Sequence, residues 1–123
     1  MINAIKNKTR NTPNILHDLS SNFILFEGDC TPEDAVEFFD SFIPDLVQLI
    51  KTNNIKKLVF ELNYYNSSSS KCLLDFFITL SKTPTIKNNI TIEWKHDKDD
   101  YELKEAGENF KGITNLNYVF IEY

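Results

Sequence analysis

The residues with the greatest chemical potential are four consecutive serines, Ser67–Ser70, set between Tyr64-Tyr65-Asn66 and Lys71. They follow the apolar run Leu58–Leu62 and precede an amphipathic stretch, so they fall where a buried strand hands over to a helix. A hydroxyl there has two uses. One serine can cap the helix by accepting a hydrogen bond from its unpaired N–H groups. Alternatively, a serine can carry a phosphate, which the same N–H groups and the helix dipole stabilise. Phosphorylation would add about −1.5 to −2 charges at that point, enough to block or create a docking surface without unfolding the chain. Composition alone leaves both uses open.

The second cluster is His96-Asp97-Lys98-Asp99-Asp100. Imidazole and carboxylates can ligate a divalent ion. Acids just ahead of a helix are equally explained by the dipole they face. The spacing suits a helix start better than a coordination shell, so no metal is expected. Glu33, Asp34, Asp99, Asp100, Glu102, Glu105 and Glu108 read as solvated helix faces. A general acid–base pair would need one carboxyl in an apolar pocket, which no neighbouring residues indicate. Phosphate-cradling glycine motifs and the nucleophile elbow are absent, and three glycines in all cannot build a glycine-rich loop. No cofactor is expected.

The elements that must position these residues follow from periodicity. Asn14–Asp18 and Phe23–Glu27 read as two strands joined by a turn at Leu19–Asn22. Thr31 as N-cap and Pro32 at the first helical position open a helix with Ala35, Phe38, Phe39, Phe42, Leu46, Leu49 and Ile50 on its buried face. Pro44 should kink that helix or divide it in two. Leu58–Leu62 reads as a central strand. A second helix is predicted from Lys71 to about Lys82, burying Cys72 or Leu73, Phe76, Phe77 and Leu80. Thr83–Asn89 reads as a loop, and Ile90–Lys95 as a half-buried strand. A third helix spans Asp99–Lys111, and Asn117–Tyr123 forms the last strand. Residues 1–11, with the basic run Lys6, Lys8 and Arg10, read as a loosely held polar arm. The order predicts a single α/β domain over residues 1–123, a mixed sheet of about five strands against about three helices.

Composition sets the outer bounds. At 123 residues the chain suits one domain, and 41% hydrophobic against 25% charged residues is the balance of a globular protein. A net charge of −5 disfavours nonspecific nucleic-acid binding, which needs a basic surface. No run of 18 or more apolar residues suggests a membrane span, and the N-terminus lacks the apolar region of a signal peptide. Cys30 and Cys72 read as free thiols of a cytoplasmic protein.

Five short segments carry a resemblance to a known family. Leu62–Lys71 (LNYYNSSSSK) is similar to the signature of the SiaC-type regulatory phosphoproteins, in which a tyrosine-containing strand end leads to Asn, then Thr-Ser-Ser, one residue and Lys. Thr12-Pro13-Asn14-Ile15 resembles the family's Thr-Pro motif. Gly28–Glu33 (GDCTPE) resembles its Gly-x-Ser-x-Pro-Glu-Asn turn. Trp94-Lys95-His96 and Glu105–Phe110 (EAGENF) resemble its Trp-x-Tyr/His and Glu-x-Gly-Glu-x-Phe pair. The resemblance implies a fold like that of the anti-sigma factor antagonist (STAS) domains and a non-enzymatic, partner-switching role. A serine/threonine kinase would phosphorylate the domain, a PP2C-type phosphatase would reverse this, and the unmodified form would bind a target such as a diguanylate cyclase. The family's phosphorylated threonine falls on Ser67, with Ser68 and Ser69 as alternatives. Tyr65, Asn66, Ser68, Ser69 and Lys71 become the expected partner-binding residues. The chain departs from the pattern at Ser67 for Thr, at Asp34 for Asn, and at Ser70 for an apolar residue. A constitutive binding module, and a small metal-dependent enzyme built on His96 and its neighbouring acids, are the competing readings.

Overall fold

The structure is a computed structural model describing residues 1–123. Its strands are β1 (Ile2–Lys6), β2 (Asn14–Asp18), β3 (Phe23–Cys30), β4 (Lys57–Tyr65), β5 (Thr91–His96) and β6 (Asn117–Glu122). The helices are α1 (Ala35–Asp40), α2 (Ile43–Thr52), α3 (Ser67–Ser81), α4 (Pro84–Lys87) and α5 (Tyr101–Thr114). One sheet holds all six strands in sequence order, antiparallel from β1 to β3 and parallel from β3 to β6. The mixed α/β architecture agrees with the sequence reading, with one strand more than expected.

Register explains why there is one core. Phe26 lies beside Phe60, Phe60 beside Trp94, and Trp94 beside Phe120, so these residues share a face. Ile24, Leu58, Ile92 and Tyr118 form the next row of that face. Both rows join the buried cluster with Phe39, Leu46, Phe76, Phe77, Leu103 and Phe110 from the helices. Crossovers of one hand between strands taken in order carry every helix to the same side. The opposite face is half-exposed and laced with charge: Lys95 Nζ meets Glu61 Oε1 at 2.6 Å, and Lys57 pairs with Glu93 at 3.9 Å.

Several boundaries differ from the periodicity reading, each for a local reason. Ile2–Lys6 is an edge strand on β2 where an arm was expected; three of its five residues are exposed and two half-buried, leaving no buried face to read. Asp34, not Thr31, caps α1, its Oδ1 accepting from Glu37 N at 3.0 Å. Thr31 is held back by its N–H bond to Asn11 O at 2.8 Å. Pro44 does divide the first helix, sitting in the first turn of α2. Pro84 opens the short helix α4 within the predicted loop. α3 begins at Ser67, four residues ahead of Lys71, and α5 begins at Tyr101 behind an Asp100 cap.

Gly107 fixes how closely α5 approaches the sheet. A Cβ built there would lie 2.6 Å from Trp94 Cδ1 and 2.8 Å from a Phe120 ring atom. Trp94 Nε1 also donates to Leu103 O at 2.9 Å, drawing the helix backbone onto the indole. Gly107→Ala should therefore lower unfolding stability by about 1–3 kcal/mol through overpacking, despite alanine's better helix propensity. Gly112→Ala, with open space around it, should instead raise stability by about 0.4–1 kcal/mol. Denaturant melts of the two variants measure this difference of sign. Phe76→Ala, which empties a fully buried site, should cost about 3–5 kcal/mol in the same assay.

Candidate functional site

The serine run lies at the carboxyl end of the parallel strands, where β4 passes into α3. Asn66 builds this junction. Its Oδ1 accepts from Ser69 N at 2.9 Å, making it the N-cap of α3. Its Nδ2 donates to Pro32 O at 3.3 Å, and its backbone N–H donates to Cys30 O at 3.1 Å. One residue thus ties the end of β3, the connection to α1 and the start of α3. The capping role that sequence reading gave to a serine belongs to this asparagine.

With the helix starting at Ser67, the serines separate by direction. Ser67 and Ser68 are exposed, and their N–H groups have no acceptor within the protein. Ser69 is fully buried and accepts a hydrogen bond from Cys30 Sγ at 3.5 Å. It lies on the same stripe as Leu73, Phe76, Phe77 and Leu80. That burial removes Ser69 both as an alternative phosphoacceptor and as a partner-contacting side chain. Ser70 is half-buried and Lys71 is exposed in the second turn. Burial also raises the pKa of the Cys30 thiol, opposed by its bond to Ser69, so it sits in the junction as a neutral group.

A β-bulge decides which tyrosine faces out. Gly28 pairs with Leu62, but the next pairs are Asp29 with Tyr64 and Cys30 with Tyr65, leaving Asn63 as the extra residue of β4. Gly28 adopts φ +117°, a conformation that disfavours side chains, and the Lys8 side chain lies across it. The bulge turns Tyr65 inward, edge-on to Trp94 with ring centroids 6.4 Å apart, and leaves Tyr64 exposed at 62%. Tyr65 was expected to meet a partner; its ring is turned inward and half-buried, and Tyr64 is the exposed tyrosine of the pair. Strict alternation from Leu62 would place Tyr64 inside, so its exposure is not readable from the residue pattern. A shallow cavity of about 250 Å³ opens here, lined by Asn63, Tyr64, Tyr65, Asp100, Glu102 and Leu103. Burial, and secondarily the Asp100 carboxylate, push the Tyr65 pKa up to about 12, so its phenol stays protonated at neutral pH.

The acidic segment is occupied with local structure. His96 is buried at the end of β5, with Nδ1 3.1 Å from Asp97 O. Asp97 Oδ1 accepts from Asp99 N at 2.9 Å, and Asp100 Oδ1 caps α5 through Leu103 N at 3.0 Å. No group of three His, Cys, Asp or Glu side chains is brought together as a metal cage. No helix is long and apolar enough to cross a membrane.

The family model described as "SiaC family regulatory phosphoprotein" matches residues 6–123. The chain belongs to the SiaC family. It is 27% identical, over 105 residues, to an uncharacterised protein of Pseudomonas aeruginosa strain UCBPP-PA14; the match covers 84% of this chain and 82% of that one. A chain in the crystal structure of the P. aeruginosa diguanylate cyclase SiaD in complex with its activator SiaC superposes with a TM-score of 0.82 at 22% identity. That superposition covers 98% of this chain and 99% of that one. Apo-SiaC from the same organism gives a TM-score of 0.79 at 21% identity, covering 97% and 98%. These structures share the fold seen here.

Two measurements test the junction. Asn66→Ala should cost about 0.5–2 kcal/mol and speed hydrogen exchange at the Ser69 amide, while Asn66→Asp, which keeps the cap oxygen, should restore most of both. The tyrosines test burial. An unfolded phenol ionises near pH 10, whereas burial in the fold pushes Tyr65 up to about 12 and raises Tyr118 as well. Stability is therefore unaffected by these groups below about pH 10 and falls as pH rises above it, because only the unfolded chain can release the protons. Denaturation midpoints measured across the alkaline range should drop, and Tyr65→Phe should make the drop shallower.

Proposed function

We propose that this chain is a partner-switching regulator whose phosphoacceptor is Ser67. The unmodified form binds and regulates a target enzyme, a serine/threonine kinase adds the phosphate, and a PP2C-type phosphatase removes it. The domain acts by contact rather than catalysis, in keeping with its regulatory family. SiaC of P. aeruginosa, which shares the fold, is the activator of a diguanylate cyclase, and the target proposed here is an enzyme of that kind.

The observation that carries the site assignment is the sorting of the serines, which leaves Ser67 and Ser68 on the outside; of these two, Ser67 is the one that matches the family's phosphorylated threonine. Ser67 is the first residue of a 15-residue helix, is exposed, and has a free N–H beside it. A phosphate there meets the positive end of the helix dipole and replaces no internal hydrogen bond. The fold therefore tolerates it, and its effect falls on whatever docks across Ser67, Ser68, Lys71 and Tyr64. Two negative charges entering a desolvated contact oppose binding by repulsion and by their own hydration.

Kinase treatment followed by mass spectrometry should place the phosphate on Ser67. Its presence should weaken target binding by roughly 30- to 150-fold, equivalent to about 2–3 kcal/mol. Ser67→Ala should melt like the wild type and stay in the binding state. Ser67→Asp should weaken binding only partly, since a carboxylate carries less charge. Modification at another residue would refute the site, and equal target affinity of both forms would refute the switch.

A further inference from the structure

Further along α3 from the serine run, α1 and α3 pack side by side and leave a groove of about 250 Å³ between them. Phe39 and Phe76 form its buried floor, Ile43 and Cys72 its half-buried walls. Val36 stands at its lip, 61% exposed, on the six-residue α1. Asp40 and Asp75 line the same groove. Asp34 lies close by, and none of the three forms a salt bridge; the molecule's two ion pairs are both on the opposite face of the sheet. The Cys72 thiol reports this field. Its pKa is raised by burial and then by Asp75, Asp40 and Asp34, with Lys71 the one opposing charge.

We propose that this groove is a second docking site, which takes an amphipathic helix from a partner protein whose apolar ridge is flanked by lysine or arginine. An apolar trough between two helices suits side chains spaced at i, i+3, i+4 and i+7. Unneutralised carboxylates on its rim select cations beside that ridge and fix its orientation. A second copy of this chain fits poorly, because it would set the same carboxylates against each other. Anionic bilayers are repelled for the same reason.

The site is independent of the switch at Ser67. A phosphate at the start of α3 adds negative charge on the groove's own helix, which does not repel a cationic ligand. Ser67→Ala and Ser67→Asp should both retain this binding, so failure here and failure of the switch are separable results.

The probe is a synthetic leucine–lysine peptide of about 18 residues with one apolar stripe, compared with a scrambled peptide of the same composition. Calorimetric titration of the full chain should show the striped peptide binding about tenfold or more tighter than the scramble, with affinity falling as salt rises. Val36→Lys should weaken it by about tenfold. Asp40→Asn with Asp75→Asn should weaken it by a few-fold and flatten the salt dependence. All three positions are exposed, and unchanged thermal melts will show that the variants fold. No binding of the striped peptide, equal binding of the scramble, or indifference to Val36→Lys would each overturn the proposal. So would sedimentation showing a dimer that Val36→Lys disperses, since that would assign the groove to a second copy.

Discussion

Everything at the serine junction depends on one row of aromatic contacts across the sheet. Phe26 stacks on Phe60 with ring centroids 4.4 Å apart, and Phe60 meets Trp94 at 5.6 Å. These rings come from the three central strands and present one continuous apolar surface. Phe76 and Phe77, adjacent on α3, lie against Phe26 and against Phe60 and Trp94 respectively. Two neighbouring rings docked on three others leave α3 no freedom to rotate about its axis. Its rotation in turn decides which serine is inside: Ser69 shares the stripe of Phe76 and Phe77, while Ser67 and Ser68 do not. The exposure of the proposed phosphoacceptor is thus set by packing two and three turns away.

Trp94 works in two directions. Its ring closes the row, and its indole N–H reaches over to Leu103 O, one turn before Gly107. The glycine admits the helix backbone to the ring face, and the hydrogen bond satisfies the one polar atom that burial of the indole would otherwise strand. The positions of α3 and α5 are consequently linked through one side chain. The cavity bounded by Tyr64, Asp100 and Glu102 lies between the end of β4 and the start of α5, so its width depends on that link.

Much of this was legible in the residue pattern, and the exceptions have common physical causes. Periodicity located β2 to β6 and the buried faces of α2, α3 and α5, because each buries a stripe of large apolar residues. It failed for β1, whose residues are mostly exposed and whose existence rests on backbone pairing with β2 rather than on side-chain burial. Helix starts were misplaced where several residues could cap: Asn66 N–H is tied to Cys30 O and Thr31 N–H to Asn11 O, and the side chains of Asn66 and Asp34 are the ones that reach the free amides of α3 and α1. Ser69 could have been found from sequence by extending the Leu73, Phe76, Phe77 and Leu80 stripe back one turn. The outward turn of Tyr64 could not, because it needs the extra residue at Asn63, and nothing in the residue types there distinguishes a bulged strand from a regular one.

The same arrangement would let the proposed phosphate act at this junction without disturbing the core. Buried charge is costly, so a phosphorylatable side chain must sit where both its modified and unmodified forms remain hydrated. The first turn of a helix satisfies this and adds unpaired N–H donors, but only its outward positions qualify. A phosphate on Ser69 would enter the aromatic cluster and break its contact with Cys30; a phosphate on Ser67 meets water and the open helix end. Asn66 sharpens the distinction by holding the helix start through the Ser69 amide, so the cap does not rely on the hydroxyls that face outward. A cap made by the Ser67 hydroxyl would have to be remade by a phosphate oxygen on modification, tying the signal to the geometry of the helix start. Assigning the cap to Asn66 frees the outward serines to carry charge while α3, fixed by Phe76 and Phe77, stays in place.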